Sequence, residues 1–385
     1  MRKHWLDNLR WVTVLLVLLY HVFYFYNNKG VFGGIGGFGP YPECPQYQDV
    51  VMYILYPWFM PLLFLVAGIS ARMALDKYSG SEWLKSRTRK LLVPATIGLF
   101  VFQWMTGYFN TQVAAVASGT DPFAEIPDSV PAGIVGAIKY FAYSLSGIGP
   151  LWFIQDLWLF SLLLLLIRKL DAKNRFHDRC GKVFGGKTGI VWTILLGILF
   201  WAGEQLLIHH PRPDSADGLY NLYKPLFYMV PFLMGYFIFS HDSVQDLIGK
   251  VWVPLLVCAV ASGIVLVVTT FGQDNTSPDY LSSPLNCLYG WLACLAMMAW
   301  FKARFNKTSA FCGYMTRSSF GLYVVHYLPL AALGYMMKVS TQLPPWAMYL
   351  ILIAAVFTLS PLLYELLRRL PLIRWAVLGE KRRGS

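Results

Sequence analysis

The chain has 385 residues, of which 56% are hydrophobic, 16% aromatic and only 14% charged, and its mean hydropathy is +0.49. That excess of apolar surface excludes an ordinary soluble domain and places the protein in a bilayer. The net charge of +12 could suit nucleic acid, but the basic residues interrupt hydrophobic runs as membrane-topology signals do, so no nucleic-acid partner is expected.

Taken in chain order, ten segments are long and apolar enough to cross a membrane, which needs about 20 residues each: 9–27, 50–74, 91–109, 150–168, 189–208, 222–240, 251–271, 284–301, 318–337 and 344–366. The first opens LRWVTVLLVLLYHV, with Arg10 at its mouth and His21 near its far end. Eleven residues of α-helix turn about 1100°, roughly three turns plus 20°, so both side chains leave the same face about 16 Å apart. Imidazole exchanges a proton near neutral pH without tuning, which makes His21 a candidate base. A histidine hydrogen-bonded between helices and an arginine anchored in headgroups are the structural alternatives.

The second span ends PLLFLVAGISAR, and the stretch SEWLKSRTRK before the third carries Arg87, Arg89 and Lys90. These three cations are expected to meet Arg10 and form a pocket for a phosphorylated ligand, although a basic juxtamembrane cluster also serves topology or lipid binding. Segment 131–147 is amphipathic and Gly-rich, which predicts an interfacial or re-entrant piece feeding the fourth span, with an extra crossing as the alternative. Gly147, Gly149 and Pro150 then break the chain before the fourth span, where Trp152 and Asp156 share a face four residues apart. A tryptophan there also suits an interface belt.

Ionisable residues within spans cost about 3 kcal/mol at the bilayer centre, so each is a candidate for function. Beyond those above they are Glu204, Arg317, His326 and Glu365. Glu365 has local partners in Arg368 and Arg369. The six cysteines and the pair His209–His210 lack metal-ligand spacing, so no metal is expected, and no phosphate loop, dinucleotide fingerprint or nucleophile elbow is present.

Lys and Arg sort between alternate loops. Arg2, Lys3, 72–90, 168–187, Lys250, 302–307 and 368–383 mark one side, against Lys29, Arg212, Lys224 and Lys338 on the other and Lys139 in the amphipathic segment. The basic side is cytoplasmic by the positive-inside rule, so both termini are expected there. No internal repeat or soluble domain stands out, and residues 1–385 read as one all-α polytopic transmembrane bundle of about ten spans.

The ordered set Arg10 and His21, PLLFLVAGISAR, the basic run before Leu-Leu-Val-Pro94, PLWFI from Pro150 to Ile154, and SSFGLYVVH ending at His326 resembles the membrane acyltransferase-3 family. Along LLYELLRRLPLIRWAVLGEK and PLWFI it is similar to that family's glucan biosynthesis protein C branch. One departure stands out. The family's Arg-x-x-Arg pair is here Arg87 and Lys90, which keeps the charge but loses one planar fork.

The resemblance implies acyl-coenzyme A as a cytoplasmic co-substrate, with no permanently bound cofactor. It also implies an extracytoplasmic glycan or glycolipid hydroxyl as acceptor, an acetyl- or succinyl-type acyl group, and a place in the bacterial inner membrane. In that reading Arg10, Arg87, Arg89 and Lys90 hold the donor, and His21 is catalytic together with Arg10. Trp152, Asp156 and His326 line the substrate path. Direct transfer and an acyl-histidine intermediate both fit. The rival reading is a transporter or flippase of an envelope precursor, since broken spans and buried charges also build transport paths.

Overall fold

The structure, a computed structural model, describes residues 3–25, 47–207, 225–275, 277–340 and 343–380. His209, His210 and Cys44 lie outside the described residues. All regular structure among the described residues is helical.

In chain order the helices are α1 (His4–Phe25), α2 (Val50–Leu75), α3 (Gly80–Arg87), α4 (Val93–Gly98), α5 (Trp104–Ser118) and α6 (Ala132–Ser146). There follow α7 (Trp152–Leu170), α8 (Arg175–Phe184), α9 (Gly189–Leu207), α10 (Pro225–Phe237), α11 (Asp242–Lys250) and α12 (Trp252–Thr270). The chain ends with α13 (Pro278–Leu281), α14 (Pro284–Arg304), α15 (Ala310–Val325), α16 (Tyr327–Ser340), α17 (Pro345–Arg369) and α18 (Pro371–Leu378).

Among the described residues, eight stretches are long and apolar enough to cross a bilayer, and the pair α15 and α16, bent by 46° at a break, makes a ninth. The protein is a multi-pass membrane protein. The sixth predicted span appears as α10, a helix of 13 residues, which is shorter than a crossing, and residues 208–224 before it are not described. Segment 131–147 forms the amphipathic α6, of 15 residues, likewise too short to cross.

Burial separates the centre of the bundle from its rim. The apolar windows of α2 and α14 are 72% buried, whereas those of α9 and α12 are 22% buried, so α2 and α14 form the core and the other two present apolar faces outward. Lipid tails are as apolar as leucine, so close backbone approach has to hold such helices together. Gly68 of α2 and Gly235 of α10 provide it reciprocally. A β-carbon on Gly68 would lie 2.0 Å from the Phe232 carbonyl oxygen, and one on Gly235 would lie 2.1 Å from that of Leu65.

The stretch SEWLKSR, which reads as a loop, is helical instead. Ser79 caps α3 through a capping box with Glu82, and the helix runs on through two π-helical turns, Thr88–Leu92 and Leu99–Gln103. Pro94 lies just beyond the first of these turns and has no N–H to offer the Lys90 carbonyl four residues back, which favours local widening of the helix. The basic residues Arg89 and Lys90 therefore project from a π turn.

Candidate active site

The break between α15 and α16 has a local cause. Pro329 cannot donate to the Val325 carbonyl, so the helix ends at His326 and restarts at Tyr327. The carbonyls freed nearby are satisfied by side chains, as a membrane interior requires. Gln103 Nε2 donates to the Val324 carbonyl at 2.8 Å, and Thr106 Oγ1 donates to Gln103 Oε1 at 2.9 Å. His326 Nδ1 bonds the Tyr323 carbonyl at 2.7 Å, and the Tyr323 hydroxyl donates to the Pro150 carbonyl.

His326 Nε2 lies 3.0 Å from His21 Nδ1, with the two rings 29° apart in plane and their centroids 5.0 Å apart. A carbonyl can only accept, so His326 Nδ1 carries a proton. In the neutral pair its Nε2 is then a lone pair, His21 Nδ1–H donates to it, and His21 Nε2 is left with a free lone pair. That is the orientation a base requires. His326 is fully buried and His21 partly exposed.

Tyrosines surround His21. Tyr327, Tyr20 and Tyr24 have ring centroids 5.2, 5.7 and 6.1 Å from it. The aromatic lining continues from Tyr20 to Tyr56 at 5.7 Å. Trp152 stands 5.3 Å from Tyr228, and Tyr228 is within Coulomb range of Tyr56 and Asp156. Asp156 also acts on Tyr323. Thus Trp152, Asp156 and His326, expected to line one path, lie around one connected set of rings.

Asp156 is fully buried, and neither carboxylate oxygen has a hydrogen-bond partner among the described residues. Buried carboxylates are normally paired, so this one is unusual. Glu204, also buried, lies within Coulomb range of Tyr228.

At the other end of the α1 stripe, Arg10 Nη2 donates to Ser70 Oγ at 2.9 Å, and Ser70 donates onward to the Val66 carbonyl at 2.8 Å. Asp7 lies 3.7 Å from Arg10 Nη1, and 39% of the Arg10 side chain stays accessible, enough for a ligand to reach. Arg10 is close enough to Arg87 and Lys90 to repel both, and Arg89 acts on Lys90 in the same way. The structure therefore gathers the four cations. Arg87 also lies over the Trp83 ring, 5.3 Å from its centroid. Between the two ends of the stripe, Val14 and Val17 share the face of Arg10 and His21, and both are buried.

Several site residues escape sequence reading. Ser70, Tyr20, Tyr24, Tyr56, Tyr228, Tyr323 and Tyr327 carry no charge and look like ordinary span residues. The available signals are weak: Tyr24 follows His21 by three positions, Tyr327 adjoins His326, and Ser70 lies in GISAR. Among the described residues no group of three or more His, Cys, Asp or Glu is placed to hold a metal. Arg317, with His4, Asp7, Asn8 and Thr316, lines a polar cavity of about 120 Å³.

No curated protein and no solved structure matches the chain. The acyltransferase domain of the acyltransferase-3 family matches residues 3–365, a stretch that contains the imidazole pair, the cation cluster and the broken span. The chain belongs to that family and is a membrane acyltransferase.

Proposed function

We propose that the protein transfers an acyl group, of acetyl or succinyl type, from cytoplasmic acyl-coenzyme A to a hydroxyl of an extracytoplasmic glycan or glycolipid, in the bacterial inner membrane with both termini cytoplasmic. The observation that carries this reading is the 3.0 Å contact between His326 Nε2 and His21 Nδ1, which leaves His21 Nε2 as the nitrogen to act as a base, on the same helix as the arginine of a four-cation cluster.

The cluster suits a polyanionic donor. Planar Arg10, Arg87 and Arg89 can each bind a phosphate through two donors, and Lys90 adds a point charge. The pantetheine arm covers most of the roughly 16 Å rise to His21, parting the buried contact made by Val14 and Val17. His21 Nε2 takes the proton of the acceptor hydroxyl. The oxygen forms a C–O bond to the thioester carbonyl, the C–S bond breaks, and the imidazolium returns the proton to the departing thiolate. His326 accepts from His21 Nδ1–H and stabilises the transient positive charge. Aromatic rings and Asp156, whose carboxylate has no hydrogen-bond partner among the described residues, suit a sugar, which offers apolar faces and hydroxyl donors.

An acyl-imidazole route uses the same lone pair as a nucleophile toward the thioester. Trapping an acyl adduct on His21 in acceptor-free protein separates the two routes. The broken helix pair also fits a transport path. Purified protein in proteoliposomes, given acyl-coenzyme A on one side and a glucan acceptor on the other, tests the reading. Acceptor-dependent thioester turnover supports it; glycan movement without thioester consumption overturns it in favour of a transporter.

A further inference from the structure

The last helix lies beyond the family match, which ends at residue 365, and it docks on the basic π turn. α18 terminates at Gly379, whose φ of +61° is left-handed and whose N–H reaches the Arg374 and Trp375 carbonyls. A β-carbon on Gly379 would lie 2.7 Å from the Arg89 carbonyl oxygen and 2.8 Å from Lys90 Cα. The Gly379 carbonyl in turn accepts from Arg89 Nε at 3.4 Å. Upstream, a β-carbon on Gly98 of α4 would meet the Ala376 carbonyl oxygen at 2.9 Å. Helix α18 and Gly379 are therefore fitted to the backbone that presents the cations.

Glu380 follows directly. It accepts from the Tyr364 hydroxyl at 3.2 Å, lies 3.8 Å from Arg368 Nε, and is within Coulomb range of Lys90. Lys90 thus feels three repelling arginines, Arg87, Arg89 and Arg10, and one attracting carboxylate.

We infer that Gly379 and Glu380 form a positioning element for the anion site: Gly379 fixes the Arg89 guanidinium, and the Glu380 carboxylate competes with ligand phosphate for Lys90. The inference rests on reading the cation cluster as the donor site. Competition of this kind weakens the grip on coenzyme A. That matters for turnover, because the product carries the same phosphates as the donor and has to leave.

The two residues should act in opposite directions, which a merely structural role would not produce. The test is coenzyme A binding to the purified full-length protein in lipid nanodiscs, by calorimetry, for wild type, Glu380→Gln and Gly379→Ala. Thermal melting of each variant serves as a folding check. Removing one partly exposed competing charge should tighten binding about twofold to fivefold. Placing alanine at a left-handed position against Arg89 should weaken it about tenfold. In steady state both effects should fall on the donor KM more than on kcat.

Glu380→Gln binding equal to or weaker than wild type overturns the inference, even if Gly379→Ala fails to fold. Wild type that binds coenzyme A while neither variant differs overturns it as well and leaves the donor-site reading standing. Wild type that does not bind coenzyme A overturns both.

Discussion

His21 Nδ1 and His326 Nε2 meet at 3.0 Å although 305 residues separate them in the chain. The contact forms because Pro329 ends α15 at His326 and because the Tyr323 carbonyl fixes which nitrogen of His326 is the acceptor. His326→Ala removes that acceptor and lets the His21 ring turn, whereas His326→Gln retains an oxygen able to receive the His21 Nδ1 proton. Steady-state transfer assays should show a larger loss of kcat for His326→Ala than for His326→Gln. Loss of a correctly oriented base is worth ~10²–10⁴ in rate. Equal activity in the two variants would contradict the tautomer assignment.

Arg10 and Ser70 act together at the basic end. Ser70→Ala deletes one hydrogen bond of about 0.5–1.5 kcal/mol, so the donor KM should rise by a few-fold with little change in kcat. Arg10→Lys keeps the charge but cannot reproduce the planar fork, and its donor KM should rise further. Initial-rate measurements at varied acyl-coenzyme A check both. A KM unmoved by Arg10→Lys would remove Arg10 from donor binding.

Asp156 presents a trade between stability and function. Both of its carboxylate oxygens are buried without a partner among the described residues, and such a group costs free energy in the fold. Asp156→Leu should therefore raise the melting temperature in detergent while raising the acceptor KM. An unchanged acceptor KM would exclude Asp156 from acceptor binding, and a fall in melting temperature would show that the carboxyl is compensated in the fold.

The helical junction outside the membrane should respond to pH. The His177 and His241 rings lie with centroids 3.9 Å apart and planes tilted by 33°, and Arg72 acts on His177 from α2. Burial first, then the His241 and Arg72 charges, lower His177 below the ordinary imidazole value of 6.5, while Asp178 at 3.5 Å opposes the shift. The unfolded segment then binds more protons than the folded one near that value. The stabilisation is fully present above 6.5 and declines as pH falls through it. Hydrogen exchange should show α8 losing protection between neutral pH and about 5, the range in which histidine titrates. His177→Gln should flatten that dependence, and an identical profile in both proteins would rule it out.

The bundle was legible because bilayer spans need long apolar runs, and nine of the ten predicted segments reappear as long helices or as the bent pair. The sixth did not reappear at full length: residues 222–224 lie outside the described residues, and the described helix covers Pro225–Phe237. Arg10, His21, Asp156 and His326 stood out in the sequence because charge within an apolar run is costly. The tyrosines did not, because a ring that suits lipid interfaces and bundle cores equally well gives no contrast.

The His21–His326 contact was hidden for a different reason. Sequence spacing fixes neighbours within one helix, whereas this pair joins α1 to the end of α15. The π turn under Arg89 and Lys90 was likewise obscured, since SEWLKSRTRK reads as a charged loop until the capping box and the docked α18 are seen.

The central claim is that His21 performs chemistry that the cation cluster does not. It is tested most directly by purified His21→Ala reconstituted in proteoliposomes, with coenzyme A affinity and acceptor-dependent thioester turnover measured on the same preparation. The expected result is donor affinity within about twofold of wild type and turnover lower by ~10²–10⁴. Wild-type turnover in His21→Ala, or loss of turnover explained entirely by lost donor affinity, would contradict it.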